Sequence, residues 1–194
     1  MQRRHLLSLA ALPLLAEAAP VATAVRTRVD TPLGPFVVEV DTAVAPVTVA
    51  NYLAYVDQHL LDKAWVYRLV SLANQPQSPH KIEVVQWGLN LPDEAKPLLP
   101  AIAHETTGTT GLRHRDGTVS MARGAPGTAT AEFFICIGDQ PELDFGGRRN
   151  PDGLGFAAFG RVVQGMEVVR ALHAKAGPEQ WLKQPIAIGP VRRA

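Results

Sequence analysis

Along residues 25–30 the chain alternates, with Val25, Thr27 and Val29 on one side and Arg26, Arg28 and Asp30 on the other. A period of two is that of a half-exposed strand. Residues 31–35 carry two prolines and a glycine, a turn, and residues 36–40 continue as a second strand, so the pair predicts a hairpin. The period then changes. Pro46 suits a helix's first turn, and Val49, Leu53, Val56 and Leu60 keep one apolar face behind it. Residues 64–70 return to strand, interrupted by Arg68, and residues 71–81 are polar, with two prolines and no period. A strand is predicted over 82–88, irregular Pro-rich chain over 91–100, a short strand over 101–105 and a Thr/Gly-rich loop over 106–117.

Two strands, 119–122 and 133–137, flank a loop of small residues. In the second, Phe133, Ile135 and Ile137 take one side and Phe134 and Cys136 the other. A surface turn follows over 146–155 and a strand over 156–163. A second helix over 166–175 turns Val168, Val169 and Leu172 inward, and a closing strand covers 186–192. Short strands, tight turns and two helices favour a mainly β fold closed into an antiparallel barrel, since closure removes exposed edges. Periodicity alone fits a sandwich equally well.

The first residues stand apart from this pattern. Arg3 and Arg4 precede ten apolar residues, and Ala22-Thr23-Ala24 fits a signal-peptidase site. Residues 1–24 are therefore expected to be an export signal and 25–194 the mature domain, periplasmic or otherwise exported. The paired arginines also fit a twin-arginine signal. Removing the segment lowers Lys+Arg from 19 to 17 and Asp+Glu from 18 to 17, a net charge of zero. No basic excess points to nucleic acid or to a membrane surface, and the mature protein is expected to be a monomer. The one cysteine, Cys136, lies in an apolar strand and reads as a buried thiol.

Few residues suggest chemistry on their own. His104, Glu105 and His114 have no ligand spacing and read as solvated loop residues, so neither metal nor cofactor is expected. The glycines of 146–155 lack both P-loop order and EF-hand carboxylates. Taken alone, Arg68 is a solvated residue on an edge strand.

The order of motifs says more. Ser120-Met121-Ala122-Arg123, a loop of small residues, Glu132-Phe133-Phe134-Ile135, then Leu143-Asp144, and FAAFGRVVQGMEVV from residue 156 resemble the cyclophilin-type peptidyl-prolyl cis-trans isomerases. The resemblance runs from about residue 31 to the C-terminus. It implies a closed eight-stranded antiparallel barrel capped by two α-helices, with a groove on its outer wall. It makes Arg68 the catalytic residue, although the family's Phe-His-Arg run is Val66-Tyr67-Arg68 here. Gln86 would bind the substrate backbone, despite Trp87 replacing a glycine.

By the same resemblance, Phe134 would floor the proline pocket, Leu143, Met121 and Val84 would wall it, and Phe156 would lie at its rim. The backbone at Ala122 and Arg123 would hold the flanking chain. Glu132, where the family commonly has Gln, would face the groove and pair with Arg68. With Glu83 and Glu142 it would make an acidic rim suited to Lys- or Arg-bearing peptides. The implied activity is rotation about X-Pro bonds in exported proteins, with proline-containing polypeptides as partners and no cofactor. The alternative is a non-catalytic proline-peptide binding or chaperone module, which has no need of a donor such as Arg68. A hollow small-ligand barrel fits the bulky inward residues poorly.

Overall fold

The computed structural model describes residues 24–92 and 95–194. The expected signal peptide therefore lies outside the described residues except for Ala24. The strands are β1 (Ala24–Val29), β2 (Phe36–Asp41), β3 (Trp65–Val70), β4 (Val84–Gly88), β5 (Thr118–Met121), β6 (Glu132–Cys136), β7 (Ala157–Gln164), β8 (Trp181–Ala187) and β9 (Val191–Arg193). Three α-helices accompany them among the described residues: α1 (Pro46–Asp57), the single turn α2 (Thr107–Thr110) and α3 (Met166–His173).

All pairings are antiparallel in one sheet of order β8-β3-β4-β6-β5-β7-β2-β1-β9. Its two end strands are consecutive in the chain. Ile188 N–H donates to Ala64 O on the β3 side, while the next residue, Gly189, donates to Asp30 O on the β1 side. The ladder thus closes through the covalent chain. Taken as one strand bent at residues 188–190, β8 and β9 complete the eight-stranded barrel; taken separately they make nine strands. Only Ile102 of the strand expected over 101–105 pairs, in one bridge to Ala129.

The core fills the barrel. Val38, Val40, Val66, Leu69, Val85, Trp87, Phe133, Ile135 and Phe159 point inward from the strands, joined by Val49, Tyr52 and Val56 of α1 and Val169 and Leu172 of α3. The family's glycine is dispensable at position 87 because Trp87 faces this interior, where it packs against Phe133 at 5.0 Å. Glu105 is not a solvated loop residue. Its carboxylate accepts from Val47 N–H at 3.1 Å and Thr48 N–H at 2.7 Å, satisfying donors that α1's first turn leaves open. At α3, Gly165 (φ 79°) precedes the first turn, and a Cβ there would stand 2.5 Å from Pro35 O.

One irregularity sets the site. The β3–β4 register passes from Val66↔Trp87 to Arg68↔Gln86, leaving Tyr67 as an extra residue in a bulge. Regular alternation would put Val66 and Arg68 on one face. The bulge turns Val66 and Leu69 into the core and leaves Arg68 on the outer wall.

Candidate functional site

A second, smaller apolar cluster lies on the outside of β3, β4 and β6: Val70, Ile82, Val84, Phe134, Cys136 and Leu143, flanked by Ala122 and Phe156. It lines a cavity of about 130 Å³ whose polar wall is Arg68, Gln86, Arg123 and Arg149. Phe134 forms part of the lining, with Phe156 edge-on to it at 5.4 Å. Eight residues expected at the site line this one cavity: Arg68, Gln86, Phe134, Leu143, Val84, Ala122, Arg123 and Phe156.

Met121 does not. It pairs with Phe133, and β-strand parity turns both into the barrel core, leaving Ser120 and Phe134 on the outer face. His114, expected in solvent, is buried beneath the site and stacks on Phe134 at 5.9 Å. Its ring joins Asp144 Oδ1 at 2.8 Å to Ser120 Oγ at 2.9 Å. With Nδ1–H donating to the carboxylate, Nε2 accepts from the serine hydroxyl, which fixes the plane on which Phe134 rests.

Arg68 is held by neutral oxygens. Nη1 donates to Gln86 Oε1 at 2.9 Å, and Nε and Nη2 donate to Gln180 Oε1 at 3.0 and 2.5 Å. Three of the five guanidinium N–H groups are thereby used, and one on each terminal nitrogen remains. Burial, then the neighbouring Arg149, moves Arg68 below the usual guanidinium range, yet it stays a cation. Its guanidinium carbon lies 5.6 Å from the centroid of the Trp181 ring, which stacks on Tyr67 at 5.5 Å.

Glu132 does not pair with Arg68. Its Oε2 accepts from the Tyr67 hydroxyl at 2.5 Å and its Oε1 from Asn90 N–H at 2.8 Å. Burial pushes its carboxyl up to about 7. Gly88 (φ 152°) makes room, since a Cβ there would lie 2.2 Å from Ala131 O and 2.5 Å from Glu132 Oε2. Beyond this pair opens a second cavity of about 440 Å³, reaching Trp181 and Pro92.

The acidic rim is not found. Glu142 accepts from Arg148 at 3.0 Å and lies below the usual carboxylate range because of it, while Arg149 adds positive charge to the cavity wall. Arg149 also ties down the 71–81 segment, donating to Gln75, Ser78 and His80. Arg123 contributes its backbone position rather than its charge to the groove. Its side chain, 1% exposed, grips Asp152 at 2.8 Å and Gly155 O at 3.0 Å and lies over the Phe156 ring.

Gln180, Tyr67 and Arg149 escaped the sequence reading. The only available signal was Trp181, a large aromatic isolated in a polar stretch. Cys136 is fully buried with its thiol pushed well above the usual value, first by burial, so it is no nucleophile. Among the described residues no group of three or more His, Cys, Asp or Glu stands together to hold a metal. Another cavity, of about 660 Å³, lies elsewhere, between Glu39, Arg161 and Asp116. Those three side chains are already engaged in exposed ion pairs.

Residues 24–192 match the family model described as cyclophilin type peptidyl-prolyl cis-trans isomerase/CLD. A peptidyl-prolyl cis-trans isomerase of Streptomyces antibioticus is 34% identical over 166 residues, which cover 84% of this chain and 92% of the relative. Peptidyl-prolyl cis-trans isomerase B of Escherichia coli is 29% identical over 143 residues, covering 73% and 80%. A crystal structure of a Cryptosporidium parvum cyclophilin type isomerase shares the fold, with a TM-score of 0.70 at 17% identity, covering 88% of this chain and 98% of that one. Another crystal structure of that protein, obtained in the presence of the dipeptide Ala-Pro, gives a TM-score of 0.69 at 18% identity, covering 87% and 98%. With its family model matched over residues 24–192 and a relative 34% identical, the chain belongs to the cyclophilin-type peptidyl-prolyl cis-trans isomerases.

Proposed function

We propose that this isomerase accelerates rotation about X-Pro bonds in exported proteins, and that Arg68 is its catalytic residue. The observation that carries the reading is the placement of Arg68, with two N–H groups uncommitted, on the wall of a cavity that Val84, Phe134, Leu143 and Phe156 also line. Rotation about the amide faces a barrier of roughly 20 kcal/mol because resonance is lost in the twisted state. There the prolyl nitrogen becomes pyramidal and recovers its lone pair. A fixed donor beside that nitrogen bonds the twisted amide and has nothing to bond in the planar one, which is differential binding of the transition state.

Phe134, Leu143, Val84 and Phe156 would hold the ring, while Gln86 and the chain at Ala122 and Arg123 would hold the flanking peptide. One side of the bond is then anchored as the other turns. No bond breaks, so the reading needs neither nucleophile nor cofactor. The export half rests on residues 1–24. A cut after Ala24 would leave β1 intact from Val25 and remove only the Ala24↔Asp41 pair.

The test is a proline-isomerisation assay on residues 25–194 beside Arg68→Ala and Phe134→Ala. Loss of a single preorganised donor costs about 10²- to 10³-fold in turnover, and that loss is expected of folded Arg68→Ala. Phe134→Ala is expected to weaken peptide binding first. A folded wild type that binds proline peptides without accelerating their isomerisation would make the groove a recognition site. Export is checked separately, by the N-terminal mass of protein recovered from the periplasm, expected to begin at Val25.

A further inference from the structure

Three hydrogen bonds join the guanidinium of Arg68 to the carboxylate of Glu132, all running in one direction. Arg68 Nη1 donates to Gln86 Oε1 at 2.9 Å, Gln86 Nε2 to the Tyr67 hydroxyl at 2.8 Å, and that hydroxyl to Glu132 Oε2 at 2.5 Å. The series begins on a cation and ends on an anion, so each bond polarises the next in the same sense. We propose that Glu132 is a positioning residue for Arg68, acting through the Tyr67 hydroxyl and the Gln86 amide. The inference rests on Arg68 being the catalytic donor.

Gln86 cannot fix its own orientation. Turned over, its amide would present N–H to the guanidinium, donor against donor. The Tyr67 oxygen prevents this by accepting from Nε2, and it can do so because its own proton is committed to Glu132. The ionised carboxylate therefore sets the phenol, the phenol sets the amide, and the amide oxygen sets the guanidinium.

Protonating Glu132 breaks the series. A proton on Oε2 faces the phenol, which then receives from both Glu132 and Gln86 and has no acceptor for its own hydrogen. A proton on Oε1 opposes the N–H of Asn90, already donated to that oxygen. Burial brings the carboxyl to about 7, which places the change in the neutral range. Other groups near Glu132 among the described residues do not compete. Tyr67 on β3 and Tyr55 on α1 are phenols that burial keeps neutral, and the N–H groups of Leu89 and Asn90 after β4 donate to the carboxylate. Arg123, which shares the second cavity, is paired with Asp152.

The experiment follows Arg68 directly. Its Nε–H resonance is recorded across the neutral pH range in residues 25–194, beside the isomerisation rate, for wild type, Tyr67→Phe and Glu132→Gln. Tyr67→Phe keeps a ring against Trp181 and removes only the hydroxyl. In wild type the resonance and kcat/KM are expected to titrate together with a midpoint near 7, the rate rising with pH while KM stays level. Both variants are expected to be flat, with Tyr67→Phe about 10-fold slower than wild type at high pH. A pH-independent Arg68 resonance in wild type, a titration retained in Tyr67→Phe, or a titrating resonance with a flat rate would overturn the proposal. A titrating resonance in a protein without isomerase activity supports the hydrogen-bond series and overturns the catalytic role of Arg68 instead.

Discussion

A carboxylate that is costly to bury is held beside the site, between Tyr67 and the backbone of Asn90. Glu132 titrates near 7 in the folded chain, against an ordinary 4.5 when unfolded. The folded state therefore binds the proton more tightly, and the contribution of Glu132 to stability is favourable only at low pH, falling as pH rises from about 4.5 through 7. Glu132→Gln removes the titration. Its stability relative to wild type is expected to rise by up to about 3 kcal/mol between pH 5 and pH 8, as read by urea unfolding at each pH. The carboxylates Asp57, Asp62 and Glu39 run the other way: arginine bonds hold them low, so their contribution is lost as pH falls. Much of the cavity's lining is legible residue by residue, because the resemblance picks out Arg68, Gln86, Phe134 and Leu143, which the fold brings to one cavity. Met121 was misplaced because a motif match carries no side-chain parity, and the partner of Glu132 was hidden because Tyr67 stands outside the alternation.

At the scale of elements, that alternation fails in several places, and two of them serve Arg68. The bulge at Tyr67 turns the guanidinium outward, and nothing in WVYRLV announces it. The other failure is β8, which is largely exposed and carries Pro185. A proline is tolerated there because β8 ends the ladder, yet the same proline and polarity conceal a strand from pattern reading. Gln180, the residue just before it, supplies the second clamp on Arg68. Gln180→Ala removes two hydrogen bonds to a charged donor while leaving the proline pocket untouched. The expected result is a fall of about 10-fold or more in kcat with little change in KM, measured by steady-state isomerisation. An equal rise in KM would show instead that Gln180 helps bind the peptide.

For the whole molecule, the alternation of strands and the two helices were enough to suggest a closed barrel, but not how it closes. The answer lies in three residues, 188–190, which carry the chain from the β3 side to the β1 side. β9 then covers β1 with three register pairs and the fully buried Val191. Its ion pairs, Arg192 with Asp62 and Arg193 with Asp57, are about half exposed and add little. Ending the chain at Pro190 is expected to cost about 2–4 kcal/mol and to lower Tm by about 5–15 °C. Calorimetry of the truncated and complete domains would show it, and an unchanged Tm would mean that the barrel does not depend on its last strand.

Closure of this kind also orders events in time. Among the described strands the first has the last as its outer partner, since Thr27 waits for Arg193. Synthesis from β1 onward leaves one edge of β1 open until β9 has been made. Such long-range pairing is slow to form. A chain made in this order therefore cannot shut itself until β9 is available.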